Sequence, residues 1–95
     1  MSDEGTKKLL VLARRDHAEA MRVAAGLTIF GHTVKLIFMD HSVEESAENA
    51  ANAELLELTG IQPQTTVAEM ADDLPLLDAA GLARAFAEAD AVLNI

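Results

Sequence analysis

The sequence predicts an α/β fold, a three-layer α/β/α sandwich around a mainly parallel sheet of four to five strands. Three observations carry that expectation. The aliphatic runs Lys8–Ala13 (KLLVLA) and Val34–Met39 (VKLIFM) are apolar without alternation, the mark of strands buried on both faces. Beyond each run stands a polar residue at helix-capping spacing, followed by an Ala-rich helical stretch. A single helix in the interval between the two runs makes a βαβ unit, which implies parallel strands and a right-handed crossover. With 95 residues the chain suits one domain, expected over 7–95 behind an acidic tail, 1–6. A chain of this size buries only roughly 60–65% of its unfolded surface, which favours further burial by self-association.

The elements follow in order. Arg14, Arg15 and Asp16 interrupt the first strand, and a helix is expected from His17 to Phe30 with Met21, Ala25 and Thr28 on one stripe. Asp16 is its N-cap, Glu19 the reciprocal capping-box partner, and Gly31 the left-handed stop. Gly26, inside that helix, is expected where another element packs closely. After the second strand, Ser42 and Glu45 make another capping-box pair ahead of a helix over Val43–Thr59, lined on one side by Ala47, Ala51, Leu55 and Leu58 and ended by Gly60. Ile61–Thr65 is a weaker strand whose Pro63, lacking an N–H, belongs at an edge or a strand start. Thr66 and Glu69 repeat the capping spacing before a short helix over Val67–Asp73, and Pro75 breaks that segment. Leu76–Ala79 reads either as a short strand or as irregular loop, with the strand preferred. Leu82–Ala89 is helical, and Ala91–Ile95 is a last strand.

Sixteen acidic residues against seven basic ones give a net charge of −9. Such a field repels phosphate backbones and anionic bilayers, so neither nucleic acid nor membrane is an expected partner. Lys7, Lys8, Arg14 and Arg15 cluster near the start, but Asp3, Glu4 and Asp16 flank them. The absence of cysteine excludes disulfides, a zinc knuckle and a catalytic thiolate. Apolar runs such as Leu9–Ala13 fall far short of the ~20 residues of a membrane span. The acidic start lacks the basic-then-apolar pattern of a secretory signal, so a cytoplasmic location is expected.

Two stretches carry a family resemblance. KKLLVLARRDHAEAMRVAAGLTIFGHTVKLIFMD runs from aliphatic strand through polar loop, Ala-rich helix and Gly31-His32 turn to a strand ending at an acidic residue. GLARAFAEADAVLNI closes the chain with Gly81-Leu82, a helix, Ala89-Asp90 and an aliphatic strand. Over nearly its whole length the chain resembles the DsrE/DsrF sulfur-relay family. The resemblance implies a compact three-layer domain of about five strands, assembled as a trimer or hexamer, with a protein partner in sulfur trafficking. Active members carry sulfane sulfur as a persulfide on a cysteine just after the third strand, chemistry that needs a polarizable thiolate. Thr66 stands there in this chain, and a hydroxyl cannot hold a persulfide. The resemblance therefore implies a non-catalytic binding or accessory subunit.

In a parallel sheet the functional crevice lies beyond the carboxyl ends of the strands. That rule selects three loops and eight candidate ligand-contacting residues: Arg14, Arg15, Asp16 and His17 in the first, Asp40 and His41 in the second, Thr65 and Thr66 in the third. Each has a structural explanation as well. Asp16 and Thr66 suit N-caps, worth roughly 0.5–2 kcal/mol each relative to Ala. His17 suits a first helical turn, Asp40-His41 a solvated turn, and His32 the negative end of a helix dipole. The functional alternatives draw on the Asp16-His17 and Asp40-His41 pairs, which suit a divalent metal or a proton shuttle, or on helix N-termini that hold a small anion with help from Arg14 and Arg15. No HxxxH or HExxH spacing strengthens the metal reading. The glycines, at 5, 26, 31, 60 and 81, form no phosphate loop. No catalytic residue, bound metal or cofactor is expected.

Overall fold

A computed structural model describes residues 7–95, so the acidic tail expected over 1–6 lies outside the described residues. The elements are β1 (Lys8–Ala13), α1 (His17–Ile29), β2 (Thr33–Phe38), α2 (Ala47–Thr59), β3 (Gln64–Thr65), one 3-10 turn (Ala68–Met70), α3 (Ala79–Glu88) and β4 (Ala91–Asn94). The sheet has four strands in the order β3-β2-β1-β4, and every pairing is parallel.

The continuous aliphatic character of β1 follows from its central position. Successive side chains of a strand point to opposite faces. Val11 and Ala13, with Leu36 and Phe38 of β2, pack under Ala20, Met21, Ala24 and Ala25 of α1 and Leu56 of α2. Leu10, Leu12 and Ile37 point the other way, against Ala85 of α3. The result is the expected three-layer α/β/α sandwich, with α1 and α2 on one face and α3 on the other. The alanines of α1 bring its backbone close to the sheet, while Arg22 on its outer side pairs with Glu19 at 2.7 Å and with Glu48 of α2 at 3.0 Å. Among the described residues no helix is long and apolar enough to cross a membrane.

Helix ends agree with expectation where the signal is unambiguous. The Asp16 carboxylate accepts from the Glu19 amide at 3.0 Å. Glu19 does not complete the box; its own carboxylate holds Arg22 instead. Gly31 and Gly60 take the left-handed conformation, at φ 96° and 81°, beyond the ends of α1 and α2.

Other expectations are corrected. The second helix starts at Ala47, not Val43. Its cap is Ser46, whose hydroxyl accepts from the Asn49 amide at 3.0 Å, while Ser42 and Glu45 stay in a loop whose Val43 packs against the core. The third strand shrinks to two residues after Pro63. The segment expected as a helix over Val67–Asp73 forms only the 3-10 turn, which has no side-chain cap, so Thr66 is not an N-cap. Leu76–Ala79 is not a strand. Leu76 makes one isolated bridge to Thr65, and the Asp78 carboxylate then accepts from the Gly81 amide at 2.7 Å to start α3 at Ala79. Within that first turn a Cβ on Gly81 would stand 3.0 Å from Leu77 and 3.2 Å from Asp78, so glycine suits close packing there. Gly26 does the opposite of what was expected: nothing lies within 4 Å of where its Cβ would be.

Candidate functional site

The register of β1 and β2 sets Ala13 beside Phe38, so the loops that follow these strands emerge as neighbours. His17 opens α1 and His41 follows the turn after β2, and their rings stack with centroids 4.2 Å apart and planes inclined by 19°. His17 also meets the Phe38 ring edge-on at 5.3 Å. Only 5% of His17 is exposed, whereas His41 faces solvent.

The His17 Nε2 lies 3.3 Å from the Met39 carbonyl, which can only accept, so the neutral ring carries its proton on Nε2. Its Nδ1 is buried without a hydrogen-bond partner. Burial holds the imidazole below the ordinary histidine value, partly offset by the Met39 carbonyl. Repulsion from His41 pushes the same way as burial, and the Ala13 carbonyl and Asp40 oppose it more weakly. Above the sheet end His17 is therefore a neutral, buried ring that ties α1 to the end of β2. His41 orients itself by its Nδ1, 3.0 Å from the Ser42 carbonyl.

The two carboxylates expected beside the histidines are engaged elsewhere. Asp16 caps α1. Asp40 turns the chain at φ 73° and accepts from the Arg14 Nε at 3.1 Å. Both members of that pair are close to half exposed, which makes it a weak contributor, roughly 0–1 kcal/mol. Among the described residues no group of three or more His, Asp or Glu side chains is arranged to hold a metal ion. The His17–His41 pair is a stacked contact, with one ring nitrogen of each occupied by a backbone carbonyl.

Two adjoining cavities open at this end of the sheet. One, of about 430 Å³, is lined by Arg15, Asp16, His17 and His41 together with Ser46 and Glu48 from the start of α2. The other, of about 360 Å³, is lined by Arg14, Arg15, Asp40, Asn94 and Ile95. Arg15 borders both and has no ion-pair partner among the described residues. Glu48 at the rim is partly neutralised by Arg22.

Thr65 and Thr66 border neither cavity. Thr65 is fully buried; its hydroxyl donates to the Phe38 carbonyl at 3.0 Å and accepts from the Val67 amide at 2.9 Å. The Thr66 amide donates to the same Phe38 carbonyl at 3.0 Å, and the residue is half-buried. The third loop is thus fastened to the end of β2 by its backbone and by Thr65, whose buried hydroxyl has its proton and one lone pair engaged within the protein.

Sequence reasoning missed Ser46 and Glu48 because it began α2 too early. It also missed Asn94 and Ile95. The Ile95 carbonyl accepts from the Arg15 and Asp16 amides at 3.0 and 3.1 Å, which fixes the first loop against the end of β4. The rule that selected the other three loops also points to the carboxyl end of β4, and applying it there would have found them. No family model matches the sequence, and neither a curated protein nor a solved structure matches it.

Proposed function

We propose that this chain is a cysteine-less relative of the DsrE/DsrF sulfur-relay proteins, working in the cytoplasm as a non-catalytic, homo-oligomeric binding or accessory subunit. In this reading it assembles as a trimer or hexamer and meets a protein partner in sulfur trafficking. The crevice at the strand ends is its binding surface, with Arg15, which has no ion-pair partner among the described residues, beside the His17–His41 stack and suited to a small anion.

The observation that carries the reading is the loop behind β3. It is held in one conformation by three hydrogen bonds at Phe38 and Val67, yet the residue at the sulfur carrier's position is Thr66. A fastened loop at the strand end without a reacting atom fits an accessory subunit better than a sulfur carrier.

Thr66→Cys tests this. Treated with inorganic polysulfide, the variant's thiolate is expected to attack a sulfur–sulfur bond, take one sulfur as a protein persulfide and release a polysulfide shortened by one sulfur. Mass spectrometry should show the gain of one sulfur atom in Thr66→Cys, faster than in a solvent-exposed control, Ser42→Cys, and none in the unsubstituted chain. Equal rates at both positions would remove the case for a latent sulfur site behind β3.

A further inference from the structure

We infer that the outer edge of β4 pairs with β4 of a second copy, antiparallel across a two-fold axis, joining two sheets into one. The inference rests on the homo-oligomer reading above and specifies one of its contacts.

The two sheet edges are treated differently. At the β3 edge the strand is only two residues long, and the chain from Pro75 to Leu77 folds back over it. The Thr65 amide donates to the Pro75 carbonyl at 3.0 Å, and the Leu77 amide donates to the Thr65 carbonyl at 2.8 Å. Among the described residues the β4 edge has no such cover, and β4 pairs with β1 alone. The Ile95 amide donates to the Leu12 carbonyl at 2.9 Å, so in this register Leu93 and Ile95 turn their amides to β1, and alternation directs the amides of Val92 and Asn94 away from it. The strand reads AVLN and carries neither a charge nor a proline, the usual devices that keep an open edge from pairing.

Apolar surface lies beside that edge. Val92 pairs in register with Leu10, on the face covered by α3, and is 37% exposed; Phe86 of α3 is 43% exposed. The ends of the strand are complementary in charge. Asp90 stands at its start, and Arg14 and Arg15 share a cavity with Asn94 and Ile95 at its finish. An antiparallel pair sets the start of each β4 against the finish of the other, so Asp90 of each copy approaches the arginine end of its mate. A parallel pair would align like with like and could not close. Two-fold closure makes the contact self-complementary, and in a hexamer it supplies the axes that join two trimers.

Light scattering on the purified full chain tests the contact, alongside Val92→Pro, which removes an outward amide, and Val92→Lys, which adds an edge charge. The unsubstituted protein is expected as a hexamer, the one state of the trimer-or-hexamer reading that contains two-fold axes. Each variant is expected to halve its mass while retaining its circular dichroism; if Val92→Pro fails to fold, Val92→Lys decides. A mass unchanged in the folded variants, or an unsubstituted trimer, overturns the β4 contact and leaves the oligomer reading standing. An unsubstituted monomer overturns both.

Discussion

Leu36→Ala is expected to destabilise the fold by about 2–5 kcal/mol, the usual cost of emptying a buried leucine site. Leu36 has no exposed surface and sits in β2 beside Val11, in the cluster that joins the sheet to α1 and α2. That cluster also holds Val11, Met21, Ala24, Ala25 and Leu56, and the size of the loss depends on how far they close the gap. Against a total of about 5–15 kcal/mol for a small domain, that loss is a large fraction. Urea denaturation should show a lower midpoint with an unchanged slope. Leu58→Ala, at a site 84% exposed, is the matched control and should stay within about 0.5 kcal/mol. Similar losses at the two sites would contradict the placement of β2 at the centre of the sandwich.

Thr65→Val should also be costly, by about 1–3 kcal/mol, although valine has nearly the same shape and a high strand preference. The lost hydroxyl is both donor and acceptor. The Phe38 carbonyl keeps the Thr66 amide, so it remains satisfied, but the buried Val67 amide loses its acceptor. Hydrogen exchange at Val67 should accelerate well beyond the change at core amides such as Val11. A neutral or stabilising substitution would mean that the hydroxyl does not fasten the loop behind β3.

The contrast between Thr65 and Thr66 shows where the sequence was legible and where it was not. Adjacent threonines offer the same local chemistry, and the spacing to Glu69 favoured Thr66 as the cap. The strand's alternation decides otherwise, because it turns Thr65 inward, where its hydroxyl has no water and must find protein partners. Ser42 and Ser46 pose the same ambiguity. Both precede residues that a helix tolerates, and the packing of Val43 against the core keeps the intervening chain out of helix. Asp78 was missed as a cap because Leu76 and Leu77 read as strand, yet a single bridge at Leu76 is all that the short β3 can support.

β1 and the second half of β2 were legible because burial on both faces leaves residues 9–13 and 36–38 without a polar side chain. The first crevice loop was legible for a related reason, since Asp16 and His17 occupy the cap and first turn of a helix whose start is unmistakable. The stacking of His17 on His41 was not readable from spacing. It depends on the register of β1 and β2 and on the left-handed turn at Asp40, neither of which a sequence pattern encodes.

The convergence of these loops is tested most directly by imidazole proton NMR of His17 and His41 followed against pH. The structure predicts cross-peaks between the two rings and a His17 titration below the ordinary value of 6.5. Because the folded value is lowered, the unfolded chain binds the proton first; the stability contributed by the neutral ring is complete above that ordinary value and fades as pH falls toward the folded one. Rings without a cross-peak, or a His17 that titrates at or above 6.5, would contradict the shared crevice.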